Sequence, residues 1–310
     1  MIAIAAERQL LDGAQDHFVA DRVQEGMDLL VDGLRTVRDE LAREAWLEFI
    51  ATECATHGLR ALLFQDPFSR RCAERPRGYP GDAVMLDLIY RTIPLPKGTT
   101  RLGARIYSCG NGADSCVSVR ARRAILAAGI DRVAASVKAP RILSVACGHL
   151  REARLAASLQ DGRIGELIAL DQDRSSLKVV QRELARFGVK PVQARVRELL
   201  TGRLGFDQLD LAYAAGLYDY LSSGVARALT ANLFGMLRPG GELLVANFAP
   251  NLRDIGYMEA FLDWHLIYRD EQGMWELAEG LPDAQVESVR IFRDPPGNIV
   301  YLQVGRRAGR

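Results

Sequence analysis

The stretch Arg141 to Asp171, RILSVACGHLREARLAASLQDGRIGELIALD, most constrains what this chain can fold into. It reads as an apolar strand, a small-residue turn, a helix, a second apolar strand and an aspartate at that strand's tip, all within the length of one βαβ unit. Ala146, Cys147 and Gly148 are small enough for the backbone to approach an adenosine-bearing ligand closely. Asp171 stands where a carboxylate accepts hydrogen bonds from ribose hydroxyls. A dinucleotide site spells G-x-G-x-x-G, because a pyrophosphate must lie against a bare turn and a helix N-terminus. Here one glycine is followed by His149, Leu150, Arg151 and Glu152. An acid that early in the helix repels a pyrophosphate but suits the amino group of a cationic ligand such as S-adenosylmethionine. The residues therefore favour a methyl-donor site over a nicotinamide site. Two plainer readings stand beside this one: small-residue turns occur without a ligand, and an acid after a strand is often the N-cap of the next helix.

With 310 residues the chain has room for one large α/β domain and an appendage. Forty basic against 39 acidic side chains give a net charge of +1, which supplies no electrostatic case for a nucleic acid or an anionic membrane. The first residues, MIAIAAERQLLDGAQDHF, lack a basic segment followed by a long apolar run, and no stretch approaches a membrane span, so a cytoplasmic location is expected. The five cysteines, Cys54, Cys72, Cys109, Cys116 and Cys147, form no C-x-x-C pair, so reduced thiols and no metal are expected.

Along the chain, Val23, Met27, Leu30, Leu34, Val37 and Leu41 recur in steps of four and three, one stripe of a long packing helix. An intramolecular bundle is the favoured reading; the same spacing fits a coiled-coil seam, which keeps a homodimer as the lesser option. Trp46, Phe49 and Ile50 continue the apolar face, and His57-Gly58 reads as a helix end with glycine in the left-handed position. Arg75 to Asp82, RPRGYPGD, breaks the pattern; Pro80-Gly81 fits the centre of a type II turn presenting Tyr79 and Asp82. It is either a rigid connector or a functional loop. A helix over Asp114 to Val137 carries Arg120, Arg122 and Arg123, surface charges unless one faces a cleft.

After Pro140 the pattern is that of a doubly wound parallel sheet, with strands expected at Arg141–Ala146, Glu166–Leu170, Val192–Val196, Leu209–Ala214 and Glu242–Phe248. Arg238-Pro239-Gly240-Gly241 reads as the turn into the fifth strand. Gln285 to Val304 reads as a hairpin about Asp294-Pro295-Pro296-Gly297-Asn298, which puts an antiparallel strand on the sheet.

The single-glycine turn, the aspartate after the second strand, the R-P-G-G segment and the terminal hairpin resemble the class I S-adenosylmethionine-dependent methyltransferases across Lys138 to Arg307. More narrowly, QDPFSRR (Gln65–Arg71), PRGYPGD (Pro76–Asp82), GLYDYL (Gly216–Leu221) and DWHLIYRD (Asp263–Asp270) are similar to bacterial methyltransferases of 3-hydroxy fatty acid methyl ester biosynthesis. The resemblance implies an α/β, Rossmann-like methyltransferase sheet, mostly parallel with an antiparallel last strand, over residues 138–310, and an N-terminal helical substrate or lid domain over residues 1–137. It implies that Ala146, Cys147, Gly148 and Glu152 follow the methionine part of the donor, Asp171 its ribose, Gln172 and Arg197 its adenine side. Ala215 and Gly216 line the donor cleft, with Tyr218 and Asp219 facing the acceptor. The turn departs from the family in lacking the second and third glycines.

Methyl transfer from a sulfonium is an in-line displacement helped by positioning and water exclusion. A carboxylate acceptor is already ionised, with a pKa of about 4 to 5, and needs no general base. A phenol, amine or thiol needs one more often, and His149 and His265 are the candidates, each with a packing role as its plainer reading. Tyr79, Tyr218, His265 and Tyr268 complete the expected catalytic set, with Trp264, Leu266 and Ile267 forming a wall or lid. The reading is a methyltransferase using S-adenosyl-L-methionine on a small, lipid-like or carboxylate-bearing substrate. The alternatives are O- or N-methylation of a polar secondary metabolite, and a non-catalytic donor-binding regulatory module.

Overall fold

The computed structural model describes residues 2–309, with side chains described from residue 7 onward, so residues 1 and 310, the outer limits of the two expected segments, lie outside the described residues. The chain divides into two compact units: a helical unit of residues 1–119 and 251–265, and a sheet unit of residues 120–250 and 266–310. The expected division at 137/138 falls just past a long helix, whereas the compact units divide within it.

The helical unit contains α1 (Ile2–Val19), α2 (Val23–Glu40), α3 (Arg43–Phe49), α4 (Leu59–Leu63), α5 (Pro67–Glu74), α6 (Ala83–Ile89) and α7 (Arg101–Asn111). The stripe on α2 is realised: Val23, Met27, Leu30 and Leu34 are buried, while Val37 toward its end is half-buried. Residues 255–261 return to the unit as a helix against α2, where a Cβ on Gly256 would lie 2.6 Å from the Leu34 carbonyl carbon; only glycine permits that approach. Two turns differ from expectation. Gly58 has φ −57° and precedes α4 rather than closing a helix in the left-handed region. In RPRGYPGD the positive φ falls on Arg75 (47°) and Gly78 (90°), not Gly81, and the Gly78 N–H donates to the Arg75 carbonyl at 2.8 Å. Pro76 occupies the second position of that tighter turn, where its fixed φ is favoured. Asp82 then caps α6, accepting the N–H groups of Val84 and Met85 at 2.9 and 2.8 Å, and pairs with Arg71 at 2.6 Å.

A long helix, α8 (Asp114–Ser136), runs through the unit boundary. In the sheet unit follow β1 (Arg141–Val145), α9 (Ala157–Gln160), β2 (Glu166–Asp171), α10 (Arg174–Leu184), β3 (Val189–Gln193), α11 (Val196–Leu200), β4 (Leu209–Ala214), α12 (Ser223–Met236) and β5 (Leu237–Phe248). After α13 (Ile255–Phe261) in the helical unit come α14 (Glu271–Trp275), β6 (Val286–Arg293) and β7 (Ile299–Arg306). The strand order is β3-β2-β1-β4-β5-β7-β6, with the first five parallel and β7 antiparallel to both neighbours. Leu143, Val145, Leu170, Ala212, Leu233, Val245 and Leu302 lie in the core of this unit. No described helix is long and apolar enough to cross a membrane.

Three boundaries depart from the sequence reading. β3 begins three residues early and includes Pro191; it is the edge strand, where a residue without an N–H is tolerated. β5 begins at Leu237, and R-P-G-G is a bulge inside it: Leu209 of β4 faces Leu237 while Leu211 faces Glu242. The crossover between β1 and β2 holds only a 3₁₀ turn, Arg151–Arg154, and the short α9, whose first N–H groups are capped by Asp131.

Candidate functional site

The carboxyl ends of β1, β2 and β4 carry the residues singled out in the sequence. Beyond Val145 the chain turns sharply, with Ala146 (φ 54°), Gly148 (54°) and Leu150 (52°) all left-handed. Glycine adopts that conformation freely, whereas for alanine and leucine it costs on the order of 1 kcal/mol each, so the turn must be held by its surroundings. Asp171 holds it. Its Oδ2 accepts the Gly148 N–H at 2.8 Å and its Oδ1 accepts the Asp173 N–H at 2.8 Å, tying the tips of β1 and β2 together. The carboxyl is 5% exposed; burial pushes its pKa up, against the pull of the backbone N–H groups. Each oxygen keeps a further acceptor position for a ligand hydroxyl. Cys147 is bound through its N–H to the Leu170 carbonyl at 3.0 Å, and burial with the Asp171 and Glu152 charges pushes its thiol well up, which disfavours the thiolate.

Glu152 is buried and accepts the Tyr213 hydroxyl at 2.9 Å. Burial raises its pKa, while that hydrogen bond and the charges of Arg122 and Arg123 work against the rise. Of Arg120, Arg122 and Arg123 on α8, Arg122 is the one that turns inward: it is 5% exposed, and a Cβ on Gly216 would lie 3.6 Å from its Nη2. Ala215 is half-buried and Gly216 exposed, as are Ala146 and Gln172, so this edge is open to a ligand.

Arg197 does not stand at the end of the third strand. Because β3 ends at Gln193, Arg197 lies exposed on α11, where Glu198 accepts the Arg195 N–H at 3.0 Å and caps the helix. Gln193 and Ala194 occupy the strand's carboxyl end instead. Tyr218, expected to face an acceptor, is fully buried with its hydroxyl 3.1 Å from that of Thr230, and burial holds the phenol far above its ordinary range. Asp219 is buried too; it accepts the Phe248 N–H at 2.7 Å, and burial lifts its carboxyl to about 6 despite the charges of Arg122 and Arg269. Arg269 donates to the Tyr218 carbonyl at 2.8 Å and to Asn247 Oδ1 at 2.7 Å, and Asn247 donates to the Ile267 carbonyl at 2.8 Å. This network fixes the segment carrying the half-buried Tyr268 to the tip of β5. His149 is buried beside the turn.

Tyr79 and His265 belong to the helical unit. Tyr79 is half-buried in its loop. His265 has Nε2 3.3 Å from Asp263 Oδ1 and Nδ1 3.4 Å from Arg43 Nη2. Its neighbour Glu259 accepts from Arg38 at 3.0 Å, Arg43 at 2.8 Å and the Trp46 indole at 2.7 Å. Sequence reasoning missed Arg122's direction, Tyr213, Arg269 and Glu259; the one available signal was a charged residue inside an otherwise apolar helical or strand pattern.

The strand order and the antiparallel β7 define a Rossmann-like methyltransferase fold, preceded by a helical region. Neither protein-family models nor curated proteins match the chain. Among solved structures it is similar to a Bordetella parapertussis protein described as a possible exported protein, with TM-score 0.62 and 16% identity over 87% of this chain and 98% of that one. It also shares a weaker likeness, TM-score 0.48 and 11% identity over 70% of this chain and 93% of the other, with magnesium protoporphyrin IX methyltransferase from Synechocystis PCC 6803. The N-methyltransferase NodS from Bradyrhizobium japonicum WM9 gives TM-score 0.43 and 15% identity over 60% and 97% of the two chains. At these identities the likeness speaks to the fold alone.

Proposed function

We propose that the sheet unit binds S-adenosyl-L-methionine and that the protein transfers its methyl group to a small molecule, with the carboxylate of a 3-hydroxy fatty acid or similar lipid-like acid as acceptor. The observation that carries the donor assignment is the tie between Asp171 and the Gly148 turn, which leaves a carboxylate with spare acceptor positions beside a turn of small residues. When bound, the donor supplies a methyl group activated by its sulfonium. The protein's own residues then have defined parts. Asp171 receives the ribose hydroxyls, the Ala146 to Gly148 backbone flanks the methionine part, and Gly216 leaves room for close approach. Arg122, beside Gly216, is the cation we assign to the donor's carboxylate, and its charge is met by buried Glu152, which Tyr213 holds. A carboxylate acceptor needs no proton removed, so catalysis rests on alignment and on exclusion of water.

The second reading is O- or N-methylation of a polar metabolite. The test is calorimetric binding of S-adenosylmethionine and S-adenosylhomocysteine to wild type and Asp171→Asn, followed by mass-spectrometric search for methyl esters of 3-hydroxy fatty acids. Saturable binding weakened roughly tenfold or more in the variant is expected, since hydrogen bonds to a charged group contribute about 1.5–3 kcal/mol. A folded wild type that binds neither ligand would overturn the donor assignment; binding with no methylated product from any acceptor would leave the regulatory module.

A further inference from the structure

The helical unit encloses a cavity of about 240 Å³. Met27, Phe68, Ile106, Tyr257, Met258 and Trp264 give it apolar walls, and Asp28, Asp66, Asp114 and Asp254 give it four carboxylates against the single cation Arg253. That cation is engaged already: Arg253 pairs with Asp32 at 2.6 Å and with Asp28 at 3.3 Å. Asp254 is 4% exposed and Asp66 1% exposed. Asp254 takes the Ser115 hydroxyl at 2.5 Å. Asp66 takes the Phe68 and Ser69 N–H groups at 2.9 and 3.0 Å and the Ser69 hydroxyl at 2.7 Å, and that hydroxyl lies 3.1 Å from the Tyr257 hydroxyl. Among the described residues neither carboxylate forms an ion pair; Asp66 lies in the field of Arg70, while Asp254 has the like charge of Asp114 nearby.

The contrast with Glu259 makes the point. It lies on the same return segment, five residues beyond Asp254, and is equally buried, yet it receives two guanidinium groups and an indole N–H. Burial alone would raise the Glu259 carboxyl, but Arg38, Trp46 and Arg43 hold it below its ordinary value; burial raises Asp254, with Asp114 adding to the rise. The fold thus supplies cations to one buried acid and withholds them from another that lines a cavity. An uncompensated buried carboxylate is costly to a protein unless a cation meets it. A hard metal ion fits poorly, since it asks for six or more converging oxygens, whereas half of this wall is aromatic and aliphatic. An aromatic and aliphatic wall beside carboxylates suits an organic cation, which gains from burial of its apolar body and from aromatic faces. The volume is below the roughly 300–1,000 Å³ usual for drug-sized ligands, so the ligand is small.

We infer that this cavity is a binding site for a small amine with an apolar body, its ammonium group held by Asp254 and Asp66 and its body by Met27, Ile106 and Trp264. The inference does not rest on the donor assignment. It is tested on the full chain by calorimetry with phenethylamine, with 3-phenylpropanoate as the matched acid, on wild type and two variants. Asp254→Asn keeps the acceptor for Ser115 while removing the charge. Gly110→Leu adds bulk at a lining residue on α7, where an added Cβ would meet nothing within 4 Å. Saturable binding of the amine and none of the acid is expected, with at least tenfold weakening in Asp254→Asn and loss in Gly110→Leu, both variants keeping the wild-type circular dichroism. The inference is overturned if the amine does not bind, if the acid binds as well, or if neither variant changes amine binding. S-adenosylhomocysteine binding measured on Gly110→Leu should be unchanged, so failure here and failure of the donor assignment are told apart.

Discussion

In the sheet unit the buried acids Glu152 and Asp219 lie in the field of Arg122, Arg123 and Arg269, whereas in the helical unit Asp254 accepts from the Ser115 hydroxyl and N–H and feels the like charge of Asp114. The first arrangement fixes charge in place before any ligand arrives, which suits a site that must hold a zwitterion in one orientation. The second leaves charge for a ligand to complete. Burial by itself therefore says little about what a carboxylate does; the identity of its partners decides.

Breaking the best-compensated acid should have the largest effect. Glu259→Ala strands Arg38, Arg43 and the Trp46 indole, and should lower unfolding free energy by about 3–5 kcal/mol in denaturant titration. Next, Arg122→Met makes the sheet unit resemble the helical one: S-adenosylhomocysteine affinity should fall about 10- to 100-fold, or ~1.5–3 kcal/mol, by calorimetry, while Asp219 titrates higher. A smaller effect appears in the pH dependence of stability. Burial raises Asp219 to about 6 from an ordinary 3.8, so the folded state binds its proton more tightly than the unfolded chain. Its contribution therefore favours folding in acid and is lost as pH rises through about 6. The difference in unfolding free energy between wild type and Asp219→Asn should shift by about 1–3 kcal/mol between pH 4.5 and 7.5, and a flat difference would refute the assignment. The smallest change expected is Gly110→Ala, a stabilisation of about 0.5 kcal/mol in thermal unfolding, because a methyl group enters open space on a helix.

Much of the sheet was readable because its signals are local. The apolar runs of β1, β2 and β4 and the Asp294 to Asn298 turn each announce themselves within a few residues. The start of β3 was not readable, since it includes Pro191, a residue at odds with a central strand, and only the sheet order reveals an edge. Asp171 and Gly148 were legible for the same local reason, being fixed by their place after a strand. Arg122 was not: the side chain that turns inward is chosen by Glu152 and Asp219, which lie far along the chain, and Arg120, Arg122 and Arg123 look alike in sequence. The Ser115 to Asp254 contact joins residues on separate stretches of chain, with no periodicity to betray it.

The helical unit is assembled from two separated stretches, and this delays its maturation on the ribosome. Helices ordinarily settle as they emerge, N-terminal elements first. Here α2 emerges with the Leu34 backbone lacking Gly256 above it, and α3 with the Trp46 indole lacking Glu259, until residues 251–265 have been made. By then β1 to β5 are complete in sequence. A nascent chain halted at residue 137 should therefore expose the apolar stripe of α2 to chaperones, and α2 and α3 should become protease-resistant only after residues 251–265 have been made.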